Sequence, residues 1–323
     1  MNKVLDQNER RGTIPDSSIQ YRTVRVEHLQ EMQDFIDSIR SSGGLSDNKI
    51  FRSYIDELAF KLPDDFKDAK YIIVVAVYTP LAKANIRYQG GVRSIFIPPG
   101  YYWPDYTAVQ LRATVAQRIV RSEQYRIERA SAYIYLKHLA VRSGLAKYGR
   151  NNICYVEGMG SMISLSAFLT DYDFDEDHWT DLQMMDSCKR CRICSERCPT
   201  GSIADEQFVI NVGRCLTLYN EIEGVIPEWI PKVAHTSLVG CMHCQLECPA
   251  NHRVVKSAVS FGEITEDETA AILSQTVNDD MLRALSEKLR VVTAGTAKEV
   301  LPVFSRNLRS FLLSQQHEIA IPE

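Results

Sequence analysis

Cys188–Thr200 reads CKRCRICSERCPT, and further along Val239–Asn251 reads VGCMHCQLECPAN. The first run sets Cys188, Cys191 and Cys194 two residues apart and closes on Cys198-Pro199. Three thiolates at that spacing on a tight loop cap three iron corners of one [4Fe–4S] cubane, while the fourth cysteine turns away to ligate a second cubane. The second run supplies only Cys241, Cys244 and Cys248-Pro249, because Glu247 stands where another closely spaced cysteine is needed. Seven thiolates leave one iron without a ligand, and Cys215, alone between the runs, supplies the eighth. The sets that follow are Cys188, Cys191, Cys194 and Cys248 for the first cluster, and Cys198, Cys215, Cys241 and Cys244 for the second. Structural zinc also uses CxxC pairs, but it needs two pairs parted by a loop, not three cysteines in one short run. Cys154 lies outside the runs and is expected to be a buried free thiol.

Around this core the chain has 323 residues and 36.7 kDa, 45% of them hydrophobic, enough for two domains with a sizeable core. The expected division is a front α/β domain over 1–180, a ferredoxin-like double-cluster domain over 181–258, and a helical segment over 259–323. A bare electron carrier needs only the cysteine domain, so the long front domain requires its own purpose. The longest apolar runs, such as Tyr71–Val77, fall short of the roughly 18 residues that span a bilayer, so no membrane partner is expected. The first residues, MNKVLDQNERRGTIPDSS, show no apolar signal region, so the expected compartment is the cytoplasm, where thiols stay reduced. The net charge of −4 gives no global attraction to nucleic acid. It is unevenly spread: Leu111–Arg150 carries nine Lys/Arg and two acidic residues, and Asp171–Asp186 carries seven acidic residues and no basic one. The basic segment reads either as a solvated helix face or as the surface that meets an anionic, nucleotide-bearing cofactor.

Val26, Leu29, Met32, Phe35, Ile36 and Ile39 recur at helical spacing, with Gly43-Gly44 as a stop. Tyr71–Tyr78 is β-branched and nearly all apolar, which suits a central strand covered on both faces. Ile97–Tyr106, IPPGYYWPDY, reads as an ordered loop lining a site. Thr107 to about Ser143 reads as helical, with a break near Arg121–Arg126, and short strands are expected at Ile153–Val156 and Met162–Leu169. After the cysteines, Thr265 and Glu268 form a capping box, and Asp280–Val292 and Ala297–Leu313 read as helices.

Leu139–Asn152, LAVRSGLAKYGRNN, resembles the LAxxAGLGxxGKN segment of the epoxyqueuosine reductase family, cobalamin-dependent enzymes that complete queuosine in tRNA. Gly160-Ser161 with the apolar run ending at Phe168-Leu169 is similar to the family's next segment. PTGSI, RCLTLYNE and VGCMHCQLECPAN are similar to its cluster domain, the isolated Cys215 included. The resemblance, clear from about Asp105 to Val255, implies a nitroreductase-like α/β domain that holds cobalamin near the clusters, an architecture shared with reductive dehalogenases. It implies cofactor contacts from Arg142, Gly144, Leu145, Tyr148, Gly149, Arg150, Asn151, Asn152, Gly160 and Ser161. Glycines there allow close backbone approach, and the cationic and amide side chains suit corrin amides and a phosphate.

Where the family reads VDSAP with a proton-donating Asp, this chain reads RASAY, placing Ala130 at the Asp position and Tyr133 at the Pro. The pattern there looks helical. Tyr101, Tyr102, Asp105, Tyr106 and Tyr133 are the candidate replacement acids, the tyrosines by analogy with dehalogenases. The expected activity is a cobalamin-dependent iron–sulfur reductase of an unidentified small molecule, fed by a ferredoxin or flavodoxin. The alternatives are an electron-transfer or corrinoid-reducing protein without its own substrate, and a tRNA epoxyqueuosine reductase with a displaced proton donor.

Overall fold

YIIVVAVY, Tyr71–Tyr78, is a strand whose first seven residues are all buried, as an unbroken apolar run requires of a strand covered on both faces. The computed structural model describes residues 14–56, 58, 60–102, 106–130, 134–204, 209–291 and 296–314; candidates Asp105 and Tyr133 lie outside them. The contacts gather the chain into two units, Met1–Thr79 with Pro104–Lys189, and Pro80–Trp103 with Arg190–Glu323.

In the first unit β1 (Ile19–Arg25), α1 (Leu29–Ser41) and α2 (Lys49–Asp56) lead to β2 (Tyr71–Tyr78). The hairpin β3 (Ala82–Tyr88) and β4 (Gly91–Ile97) belongs to the second unit. The first unit resumes with α3 (Ala108–Thr114), β5 (Ile127–Arg129), α4 (Leu136–Arg142), β6 (Lys147–Tyr148), β7 (Cys154–Tyr155) and β8 (Ile163–Thr170). Its sheet runs β1-β2-β8-β5, antiparallel throughout, with Tyr71 opposite Thr170 and Tyr78 opposite Ile163. Alternation along the strands sends Ile73, Val75, Val77, Ile127 and Phe168 to one face, where Leu111, Val115 and Val120 cover them.

The helical reading across Thr107–Ser143 needs correction. Thr107 caps α3 with a capping box to Gln110, the helix widens into a π turn over Val115–Val120, and Arg121 ends it at φ 58°. The chain then runs extended through β5, and the Ala130 N–H donates to the Ala167 carbonyl at 2.8 Å. Three strand residues are too few to show a period, so only pairing with β8 identifies them.

The second unit continues with α5 (Ile193–Glu196), α6 (Leu216–Glu221), α7 (His243–Leu246), α8 (His252–Lys256), β9 (Val259–Ile264), α9 (Glu266–Leu273), α10 (Asp279–Leu289) and α11 (Ala297–Ser314). Its sheet, β4-β3-β9, pairs β3 with β9 in parallel. β3, AKANIRY, alternates buried and exposed as a half-covered strand does, and Gln89 and Gly90 turn the hairpin at φ 50° and 73°. α9, α10 and α11 supply Ile272, Leu285, Leu308 and Phe311 to the core over this sheet. The capping box of Thr265 and Glu268 is present. These units do not coincide with three consecutive segments cut at 180 and 258: β9 draws the β3–β4 hairpin to the C-terminal unit, and the tail helices pack on both. No helix among the described residues is long and apolar enough to cross a membrane.

His138 on α4 is buried without a hydrogen bond at Nδ1, its ring stacked on Phe35 at 4.1 Å. Burial, helped by the Arg142 charge, lowers its pKa from 6.5 to about 4. The unfolded chain therefore binds a proton between those values that the folded chain refuses. Stability contributed by the neutral imidazole is full above pH 6.5 and is lost as pH falls toward 4, about 3 kcal/mol in all. His138→Phe should flatten this part of the pH dependence of urea unfolding; an unchanged slope between pH 6.5 and 4 would rule the assignment out.

Candidate iron–sulfur site

The two cysteine runs fold alike. Arg192 and Met242 start their short helical turns at nearly the same backbone angles, φ −121° ψ 2° and φ −119° ψ −2°, and α5 packs against α7. Arg197 and Glu247 join the ends of the two runs by an ion pair at 2.7 Å. All nine cysteines are free thiols; the seven of the runs and Cys215 are half-buried, and Cys154 is buried.

Cys198, Cys215 and Cys241 lie close enough for their charges to oppose one another. Burial raises the Cys215 thiol and pushes Cys241 up to about 12, so neither ionises alone; a bound cationic iron centre reverses this by direct coordination. The sulfurs are met by donors. The Ser202 N–H lies 3.3 Å from Cys198 Sγ and the Thr200 hydroxyl 3.5 Å from it. Thr217 bonds to Cys215 through its N–H and hydroxyl, and the His243 N–H bonds to Cys241, while the Ser202 hydroxyl near Cys215 donates to the Asn211 carbonyl at 2.8 Å. Among the described residues no three His, Cys, Asp or Glu converge as ligands of one metal ion do.

The tail helix fixes the backbone that carries these sulfurs. Asn307 Nδ2 donates to the carbonyls of Asn220 at 2.9 Å and Leu238 at 2.6 Å, and Asn220 Nδ2 to that of Gly240 at 2.8 Å. Arg306 donates to the carbonyls of Tyr219, Ile222 and Gly224, which follow Cys215 around α6. Neither side chain shows any sign of this role in the sequence, because a polar residue on an amphipathic helix reads as solvent-facing. Tyr101 also reaches this region: its hydroxyl donates to the Glu221 carboxylate, and burial with the Glu221 charge raises its pKa. Tyr102 donates to the Pro80 carbonyl and sets its ring against Phe261 at 5.0 Å, which makes it a packing residue of the second unit's core.

In the first unit Cys188 accepts, through its carbonyl, a hydrogen bond from Arg150 at 2.6 Å. The segment around Arg150 forms α4, the β6–β7 hairpin and the turn before β8. Gly144, at φ 70°, ends α4. Gly149 is a glycine for an internal reason: a Cβ there would come within 2.6 Å of both Asn151 Oδ1 and the Tyr155 ring. Arg142 pairs with Glu31 at 2.9 Å and lies over Trp179. Asn151 donates to the Tyr155 hydroxyl at 2.9 Å, Asn152 turns the chain at φ 58° and accepts from Lys137, and Leu145, Tyr148 and Ser161 are buried. Gly160, at φ 58°, closes a turn onto the Val156 carbonyl. Most of the side chains expected to meet a cofactor are thus engaged inside the unit.

Gly149→Val should therefore destabilise the first unit, by about 1–3 kcal/mol of overpacking, and not merely block a ligand. A melting temperature within a degree of wild type would refute the collision.

Tyr106 stands apart from the other tyrosines. Its hydroxyl bonds with Ser164 and Thr79, on the sheet face that also carries Arg129, and Thr79 Oγ1 lies 2.9 Å from Ser164 Oγ. Burial raises its pKa above the ordinary phenol value, against the pull of those hydrogen bonds and of Arg129, so it carries its proton at neutral pH. Ala130, next to Arg129, is fully buried.

Residues 187–251 match the family model described as a 4Fe-4S double cluster binding domain. Beyond that domain, the matches with proteins named epoxyqueuosine reductase extend over 171 residues in Yersinia pestis, at 29% identity, 52% of this chain and 38% of that protein. The chain is similar to epoxyqueuosine reductases. The counterpart in Shigella dysenteriae is 33% identical over 122 residues, 38% of this chain and 31% of its own length. These alignments span less than half the length of either relative. The epoxyqueuosine reductase from Streptococcus thermophilus matches in structure with a TM-score of 0.63 at 18% identity, over 91% of this chain and 77% of that one. The one from Bacillus subtilis matches at 0.61 and 20% over the same shares. The mixed α/β architecture is thus that of the epoxyqueuosine reductases, with a double-cluster domain in its second half.

Proposed function

We propose that this protein is an iron–sulfur oxidoreductase that passes electrons singly through two [4Fe–4S] clusters to a cobalamin bound by the nitroreductase-like first unit, and reduces a small molecule in place of tRNA epoxyqueuosine. The carrying observation is the combination of the double-cluster domain with a buried alanine at Ala130. Cys188, Cys191, Cys194 and Cys248 hold the first cluster, and Cys198, Cys215, Cys241 and Cys244 the second. A low-potential ferredoxin or flavodoxin in the cytoplasm supplies the electrons.

The resemblance of Leu139–Ser161 is what assigns cobalamin to the turns at Gly144, Gly149–Asn152 and Gly160-Ser161. Arg142, Asn151 and the amides of Gly144, Gly149, Asn152 and Gly160 all bond within the unit, so they shape that surface and are not its hydrogen-bond donors. When bound, cobalamin supplies a strongly reducing, nucleophilic metal centre. The chain's own task is then proton delivery, and Tyr106 is the residue placed for it: protonated at neutral pH, partly buried and oriented by Ser164 and Thr79.

A solved epoxyqueuosine reductase carries a tRNA stem loop in its crystal. A net charge of −4 gives this chain no matching long-range attraction for RNA. Anaerobic titration of the holoprotein with cobalamin tests the reading. A saturable change in the corrin absorption at micromolar concentration is expected. No change, with both clusters intact, would leave the electron-carrier reading in its place.

A further inference from the structure

Reduction of a [4Fe–4S] cluster adds one electron and breaks no bond. The added negative charge spreads over the iron, the sulfides and the thiolate sulfurs. Hydrogen bonds donated to those sulfurs strengthen as their charge grows, so they favour the reduced state and raise the potential, whereas burial opposes added charge. The surroundings of Cys198 and Cys215 are rich in such donors. Thr200, 3% exposed, places its hydroxyl 3.5 Å from Cys198 Sγ, and the Ser202 N–H lies 3.3 Å from the same atom. The Thr217 N–H and hydroxyl bond to Cys215, while the Ser202 hydroxyl beside that sulfur gives its hydrogen to the Asn211 carbonyl, so Ser202 acts through its N–H on Cys198.

These donors are held in place by their neighbours. The Ser202 hydroxyl and carbonyl bridge to the Asn211 backbone at 2.8 Å each, and Arg214 Nε donates to the Thr200 carbonyl at 2.8 Å. Thr217 lies in the first turn of α6, whose C-terminal end Arg306 clamps. A small residue without a hydroxyl would fill the same space at Thr200 and Thr217, so packing alone does not account for threonine at either position.

We propose that Thr200, Ser202 and Thr217 set the reduction potential of the second cluster by donating hydrogen bonds to the Cys198 and Cys215 sulfurs, holding it above the value that burial alone would give. The inference rests on the second ligand set given above. The role of these residues is positioning and electronic: they touch ligand sulfurs and not the substrate. A raised potential makes the second cluster an acceptor for an electron delivered by an external low-potential one-electron donor.

The test is a mediated potentiometric titration of the holoprotein, with dithionite as reductant and electron paramagnetic resonance as readout. Thr200→Val and Thr217→Val keep the side-chain shape and remove the hydroxyl. Each should shift the reduction equilibrium of one cluster about tenfold toward the oxidised state, ~59 mV for one electron. The double variant should shift it further, the other cluster should not move, and Thr217→Ser should restore the wild-type value. Unchanged potentials with both clusters present would overturn the proposal. So would an equal shift in both clusters, or loss of a cluster from either valine variant, which would make the hydroxyls structural ties. A wild-type protein that reconstitutes only one cluster would refute the ligand set itself, and is seen before any substitution is made.

Discussion

Cys215→Ser is expected to hold about half the iron and sulfide of the wild-type protein, near four of each in place of roughly eight. The expectation follows from the isolation of Cys215 between the runs and its approach to Cys198 and Cys241. The serine hydroxyl is a poor ligand for iron, and the remaining three thiolates cannot complete a cubane. The fold around the position should survive, because Arg306 and Asn307 hold α6 and the Leu238–Gly240 backbone through carbonyls that the substitution leaves in place. Loss should therefore be confined to one cluster, seen as one remaining signal in the reduced protein. Cys154→Ser serves as the control: that thiol is buried beside the Lys137 carbonyl, with its pKa pushed up to about 12, and its removal should leave the iron content unchanged. A Cys215 variant with full iron, or a Cys154 variant that loses a cluster, would show that the cysteines are mispaired.

Given tRNA bearing epoxyqueuosine, a chemical reductant, cobalamin and both clusters, the protein is expected to form queuosine at least 10²-fold and up to 10⁴-fold more slowly than an authentic epoxyqueuosine reductase, about the range a positioned general acid contributes. Removing an epoxide oxygen needs a proton at the breaking bond. Ala130, buried just past β5, has none to give. Tyr106, just before the Thr107 cap of α3, bonds with Ser164 and Thr79 on the sheet face that carries Arg129. Tyr106→Phe should accordingly depress turnover of the protein's own substrate while leaving clusters and cobalamin affinity intact. Queuosine formation at a rate comparable to an authentic relative would restore tRNA as the substrate and remove the role assigned to Tyr106.

How much of this was legible in the residues differs by element. The two cysteine runs announce their chemistry because iron ligation fixes both residue type and spacing within one short loop. Tyr71–Tyr78 announces a central strand because seven successive apolar residues have no other stable place, and Thr265 with Glu268 announces a helix start because a capping box is a local bond pattern. Each of these is decided by interactions within a few residues of the chain.

The remainder depends on partners distant in sequence. Ile127–Arg129 has no strand signal of its own and becomes β5 only by pairing with Phe168–Thr170. The β3–β4 hairpin carries its alternation openly in AKANIRY, yet its membership of the second unit is set by β9, far along the chain. Gly149 looked like an approach point for a ligand; the crowding of Asn151 and Tyr155 against it is a property of the folded hairpin. Arg306 and Asn307 read as the polar stripe of a tail helix, and tertiary structure turns them inward onto the carbonyls around Cys215. The sequence by itself determined that the chain carries iron–sulfur ligands and where its strongest elements lie, since those are short-range facts. Only the tertiary structure decided which side chains support the ligands, which tyrosine hydroxyl meets Ser164 and Thr79, and which glycines serve packing, because burial and hydrogen bonding between remote segments exist only once the chain has folded.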